Sequence, residues 1–191
     1  MTTPSTTPPT HHADVGAYEV LPDGTEIVIR PLHPADRALI TEGFAQLGPD
    51  SRYQRYFTHK SSLGDADLQF LSELGHGVQG AVGMTAWDDQ LGERPVGVAR
   101  YVRLAPGSDV AEAAVTIVDT MHGKGLGKLL LRKLAEAAYL DGVRRFRARI
   151  LVENVAAIRL MRWLDPNLRV VDHEPGAEEL EVVLPAPDAP R

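Results

Sequence analysis

Three glycines at alternate positions, Gly123, Gly125 and Gly127, stand between a strand-like run that ends near Val118 and a run of helical period that begins at Leu126. Glycine at such a junction lets the chain turn with its N–H groups facing outward, and no Cβ blocks what approaches. Unpaired N–H groups and the helix dipole then make an anion site, best suited to a phosphate. Two common phosphate loops fail here. A Walker loop needs GxxxxGK followed by Ser or Thr, but Lys128 is followed by Leu129, and His122 stands where its first Gly belongs. A dinucleotide fingerprint needs GxGxxG, and Lys128 occupies the place of its last Gly.

The elements around this loop follow from patterning. Tyr18 to Leu21 and Glu26 to Arg30 alternate on either side of Pro22–Asp23–Gly24, which predicts a hairpin. Pro34 opens a helix that runs to about Leu47, where Gly48 and Pro49 stop it. Ser51 to Phe57 and Asp65 to Leu74 read as two short helices, with Asp65 as N-cap. Gln79 to Trp87, Pro95 to Leu104 and Asp109 to Val118 read as strands. Leu126, Leu130, Leu134 and Ala137 or Ala138 share one helical face, and Asp141–Gly142 ends that helix. Arg145 to Val152 is a strand, Asn154 to Leu164 a helix, and Val170 to His173 with Leu180 to Leu184 a closing pair. The order is mixed α+β with one strand–helix–strand crossover.

Charge is unevenly spread. Lys124 to Arg162 holds ten Lys or Arg against three Asp or Glu, inside a chain of net charge −6. Such a segment is either a localised anion site or a solvated helix face. The acidic remainder and the lack of a DNA-binding motif argue against nucleic acid. No run approaches 18 apolar residues, so no membrane span is expected. The chain has no cysteine, which excludes disulfides, a cysteine nucleophile and Cys-bound zinc, and fits a cytoplasmic protein. At 191 residues it is long enough for one domain that buries roughly 70% of its unfolded surface. We expect tails at 1–17 and 186–191 around a domain at 18–185.

His122–Gly123–Lys124–Gly125–Leu126–Gly127 resembles the Q/R-x-x-G-x-G/A loop of the GNAT (GCN5-related) N-acetyltransferase superfamily. Asn154 to Leu160, NVAAIRL, resembles that family's NxxAIxL segment. Asp23–Gly24–Thr25, Ile29–Arg30–Pro31 and Leu47 to Tyr53 are similar to the acetyltransferase domain of bacterial protein-lysine acetyltransferases. The resemblance spans about Tyr18 to Leu184 and implies a mixed, mostly antiparallel sheet of six to seven strands flanked by helices. It implies acetyl-CoA as co-substrate, with its pyrophosphate on residues 122–128, including Lys124 and Lys128. Val115 and Ile117 would run beside the pantetheine arm, with Asn154 near it. The acceptor would be an amine, a protein lysine or a small molecule, and the protein a monomer or homodimer. His122 replaces the usual Gln or Arg, Met161 replaces a Tyr thought to protonate the departing thiolate, and Trp163–Leu164–Asp165–Pro166 replaces Leu-Gly-Phe.

Acetyl transfer needs a neutral amine, and a free lysine at pH 7 lies about 3.4 units below its pKa, a cost of about 4.6 kcal/mol. Glu112, within Ala111 to Val115, is the candidate base, as a glutamate on this strand is in the resembling enzymes. Its small apolar neighbours predict partial desolvation. The other reading is an exposed carboxylate that adds solubility, and one residue of register decides the face. Arg52, Tyr53, Arg55, Tyr56 and Phe57 line an acceptor groove or simply pack a short helix. Trp163 reads as core. His76 reads as a loop histidine, and His11 and His12 offer weak metal binding at most; no metal site is expected. Met161 leaves open a module that binds acyl-CoA without turnover.

Overall fold

The computed structural model describes residues 17–21, 23–72, 79–88 and 92–187. His11, His12 and His76 lie outside them. Eight strands form one sheet: β1 (Ala17–Val20), β2 (Glu26–Pro31), β3 (Gln79–Asp88), β4 (Gly92–Arg103), β5 (Val110–Ile117), β6 (Arg145–Leu151), β7 (Arg169–Glu174) and β8 (Ala177–Val183). Their spatial order is β1-β2-β3-β4-β5-β6-β8-β7. The sheet is slightly larger than the six to seven strands expected, because both the first hairpin and the closing pair join it. Every neighbouring pair is antiparallel except β5 and β6, the crossover pair. The helices are α1 (Arg37–Ala45), α2 (Pro49–Tyr56), α3 (Asp65–Ser72), α4 (Leu126–Leu140) and α5 (Val155–Leu164). None is long and apolar enough to cross a membrane.

The crossover helix α4 is held by its stripe. Leu126, Leu130, Leu131, Leu134, Ala135 and Ala138 are buried against β3, β4 and β5, and each such leucine contributes about 1.5–3 kcal/mol relative to exposure. The helix stops where the N–H of Gly142 bonds the Tyr139 carbonyl and that of Val143 bonds Ala138, with Val143 buried beside them. Side chains alternate along β5. Ala111, Ala113, Val115 and Ile117 face α4, as the crowding of Gly97 by Ile117 and Leu130 shows. Ala114 and Thr116 face a cleft that α1, α2 and α3 help to enclose.

Two local expectations shift. The stretch from Pro34 begins as a 3-10 turn, Pro34–Asp36, and α1 ends at Ala45 rather than near Leu47. Asp65 is the first residue of α3, not its cap; the Gly64 N–H is instead taken by Asp67 Oδ2 at 2.9 Å. That bond is the reciprocal half of a capping box, in which the third helical residue accepts from the N–H of the residue before the helix.

Candidate active site

Strands β5 and β6 are in register over only three pairs: Val110 with Arg145, Ala111 with Phe146 and Glu112 with Arg147. Past Glu112 they separate, and a gap opens along the second half of β5. Which main-chain groups face that gap follows from parity. The Val118 N–H bonds Val96 and the Val110 carbonyl accepts from Leu104, so even-numbered residues point toward β4. Val115 and Ile117 therefore turn their N–H and C=O groups to the gap, while their side chains pack against the α4 side. The Ile117 carbonyl is taken: His122 Nε2 lies 2.9 Å from it. His122 thus donates back to its own strand and braces the loop, and among the described residues the Val115 groups stay open.

The loop ends the gap. A 3-10 turn, Asp119–Met121, leads to Gly123 and Gly125, whose φ of 77° and 83° lie in the left-handed region that glycine alone occupies without strain. A Cβ at either would meet no atom within 4 Å, so open space lies before both. Among the described residues the N–H groups of Gly123, Lys124, Gly125, Leu126 and Gly127 have no hydrogen-bond partner. That is a fit for a pyrophosphate: five donors, no steric wall and the N-terminus of a 15-residue helix. Gly127 lies against Leu160 of α5, and Lys128 Nζ sits 5.5 Å from the Trp163 ring centroid. Trp163 is partly buried at the edge of the core.

Lys124 does not stand free. Its Nζ pairs with Asp23 Oδ2 at 2.7 Å, in the β1–β2 turn, and the Thr25 N–H bonds Asp23 Oδ1. The Lys124 hydrogen bond, then Thr25, holds the Asp23 carboxyl well below the usual carboxylate range. No local signal in the sequence singles out Asp119. Its Oδ2 accepts from the Gly48 N–H at 2.9 Å and joins the α1–α2 corner to the loop. A Cβ at Gly48 would come within 2.8 Å of that oxygen, so the Gly48–Pro49 helix stop doubles as a docking point.

The Glu112 side chain is exposed and makes no hydrogen bond or ion pair among the described residues. The desolvation expected of it is absent. Ala111 and Ala113, its small neighbours in sequence, are buried on the opposite face, and on a strand adjacent residues cannot shield one another. Asn154 caps α5, its Oδ1 accepting from the Ala157 N–H at 3.0 Å. Met161 is buried in the core.

The basic segment is dispersed rather than gathered into one site. Arg145 pairs with Asp109, Arg147 with Glu181 and Arg149 with Glu174, carboxylates drawn from outside the segment. The α2 side chains divide. Arg52 bonds the Ala45 and Ser61 carbonyls and Tyr53 stacks on His59, while Phe57 lies beneath Arg149. Arg55 and Tyr56 line the cleft over β5, and burial pushes the Tyr56 hydroxyl pKa up.

A family described as "Acetyltransferase (GNAT) domain" matches residues 26–165, most of the chain. The chain belongs to the GNAT acetyltransferase family. This GNAT domain is 31% identical over 166 residues to an acetyltransferase of Pseudomonas aeruginosa, covering 86% of each. It is 27% identical over 172 residues to acetyltransferase Pat of Mycolicibacterium smegmatis, covering 84% of this chain and 48% of that one. It therefore spans about half the length of Pat. Among solved structures the GNAT domain of PAT from S. lividans superposes with a TM-score of 0.77 at 26% identity, covering 93% of this chain and all of that one.

Proposed function

We propose that this GNAT domain, taken as residues 18–185, is a cytoplasmic N-acetyltransferase that joins the acetyl group of acetyl-CoA to an amine within a ternary complex. The observation that carries the reading is the gap that opens past Glu112, with Val115 main-chain groups along it and the glycine loop at its end. Two relatives named acetyltransferases support it. When bound, acetyl-CoA supplies an acyl group on a thiol leaving group.

The residues divide the work. The free N–H groups from Gly123 to Gly127 hold the pyrophosphate, with Lys124 and Lys128 at its flanks. The Val115 N–H and C=O pair with the pantetheine amides as a neighbouring strand would. Glu112 receives the proton that the acceptor ammonium must lose, and its exposure leaves the side chain open to the acceptor. Asn154 fixes the start of α5 beside the gap through its cap, and its NH2 group remains a donor. Glu112 and Ile117 are five positions apart, about 17 Å of strand, so the base and the phosphate grip lie at opposite ends of an extended arm. The acceptor is an amine, of a protein lysine or a small molecule.

A second reading has its own observation. Met161 is buried and carries no proton to return to the thiolate, as a module that binds acyl-CoA without turnover would allow. A single-turnover assay on an amine panel, run beside calorimetry with coenzyme A, decides between them. Acetylated product supports the enzyme; tight binding with no product on any amine supports the module; no binding overturns both.

A further inference from the structure

The cleft over β5 carries a charge pattern that acetyl transfer by itself does not call for. Two of the described residues that line it are charged, Arg55 and Arg100, and both are cations. The rest of the wall is largely apolar, with Leu39, Phe44, Leu71 and Val98 among it. Arg100 is only 4% exposed. One of its terminal nitrogens donates to the Phe70 carbonyl at 2.7 Å and the other to Gln79 Oε1 at 2.5 Å, and the guanidinium lies 4.0 Å over the Phe70 ring. Its Nε is buried with no partner. All these neighbours are neutral.

A buried guanidinium without a counter-charge is costly even after the surroundings relax. Arg30, another largely buried arginine, meets that cost with two carboxylates, Asp36 and Glu93. Arg100 has none among the described residues. Arg55 adds to the excess: it is half-buried, among the described residues it lies over the Tyr56 ring and makes no hydrogen bond or ion pair, and burial together with Arg55 pushes the Arg100 pKa down to about 10. Arg100 is still a cation at neutral pH. An anion entering the cleft would relieve the repulsion between the two arginines and meet the idle donors of both.

The position relative to the reaction sets the ligand's shape. Arg100 is in register with Ala114, and Val102 with Glu112, so Arg100 and Glu112 are diagonal neighbours on one face, about 7–8 Å apart at the backbone. The Arg100 guanidinium turns from there toward α3 and Gln79, which lengthens the distance between the two groups. We propose that the cleft selects an acceptor whose amine meets Glu112 and whose apolar body ends in a carboxylate held by Arg55 and Arg100. The amine half of this statement rests on the acetyltransferase reading; the anion half does not. The carboxylate can belong to a free ω-amino acid or to an acidic residue beside a lysine in a peptide.

The test compares matched acceptors: 6-aminohexanoate with hexylamine, and a Lys-Glu peptide with its Lys-Gln counterpart. The charged member should lead by about 10-fold or more in kcat/KM, chiefly through KM, as expected for hydrogen bonds to a charged group. The pair that shows the preference identifies the source. Arg55→Met, which breaks no hydrogen bond among the described residues, and Arg100→Met should each draw the ratio toward one, with melting curves confirming the fold. Hexanoate, which cannot be acetylated, should bind the wild type by calorimetry in the presence of coenzyme A and lose affinity in Arg55→Met. Equal rates within both pairs, or a ratio unchanged in the folded variants, overturn the proposal. Hexanoate binding that Arg55→Met abolishes, in a protein that acetylates nothing, upholds the anion site and defeats the acetyltransferase reading. Acetylation with no hexanoate binding and no preference does the reverse.

Discussion

Glu112 and Arg147 are the last residues that face each other across β5 and β6 before the strands part. The carboxylate therefore stands at the apex of the gap, on the face that also carries Ala114 and Thr116 of the cleft wall. Glu112→Gln keeps the side-chain shape and should leave coenzyme A affinity near wild type, because the loop proposed to grip it lies at the far end of β5. The rate at pH 7 should fall by about 10²–10⁴, the contribution of one acid–base group. That deficit should narrow as pH approaches the pKa of the acceptor amine, where the neutral form is already present. Pre-steady-state rates across pH 7 to 10 check it, and a flat ratio would remove Glu112 from the proton path.

Gly125 is the residue before the first turn of α4 and has φ of 83°. An L-residue in that region costs about 1–2 kcal/mol, and a β-branched one more. Gly125→Val should lower the melting temperature by a few degrees and abolish detectable coenzyme A binding, since the loop donors no longer converge. Gly125→Ala should be an intermediate case. Calorimetry on the folded variants reads both; wild-type affinity in Gly125→Val would place the phosphates elsewhere.

The loop was legible because glycine spacing and helical period are local signals, and the order of strands and helices follows from the same kind of pattern. Long-range pairs were not. Nothing near Lys124 announces Asp23, which lies 101 residues earlier and meets it only once the β1–β2 turn reaches the loop. The sequence suggests a desolvated Glu112 because Ala111 and Ala113 flank it, yet neighbours in sequence are not its neighbours in space. On a strand the relevant ones are Ala114, Val102 and Arg147, of which the last two require the sheet register. Asn154 reads as the first residue of a helix but caps it instead, although an Asn before a helical run is itself a cap signal. Arg100 reads simply as one cation within a strand, and its burial appears only when α3 covers it.

Arg30 and Asp36 form a bidentate pair, at 2.7 and 2.9 Å, and the His33 N–H adds a third bond to the carboxylate. Burial pushes the Asp36 carboxyl up, but Arg30 and His33 outweigh it and hold the carboxyl below the ordinary 3.8. The folded pKa is thus lower than the unfolded one, so the pair contributes stability above the unfolded value. That stability is lost as pH falls through the folded pKa. Asp36→Asn should destabilise the protein at pH 7 by about 3 kcal/mol, as removal of one partner of a buried pair does. It should also flatten the decline of melting temperature below pH 4. Urea melts at pH 7 and pH 3 test both; an unchanged difference between the two pH values would assign the acid sensitivity to another carboxylate.

If Lys124 flanks the pyrophosphate as proposed, Asp23 competes with that phosphate for it. Both groups are exposed enough for solvent to screen them, and surface pairs contribute about 0–1 kcal/mol, so the competition is worth at most about a five-fold change in affinity. Asp23→Asn should tighten coenzyme A by up to that factor at low ionic strength, because Lys124 is then free to turn to the loop. Lys124→Ala should weaken it, and in that background Asp23→Asn should have little further effect, since the two residues act through one contact. Salt should erode the difference, because screening acts over about 8 Å at physiological ionic strength. The Asp23 carboxyl is held well below the usual range by Lys124, so it stays ionised throughout pH 5 to 9 and the effect should not vary with pH across that interval. Calorimetry of the four proteins at two salt concentrations checks the cycle. Additive effects of the two substitutions, or a gain in Asp23→Asn that persists in the absence of Lys124, would show that Asp23 acts on the cofactor loop by another route.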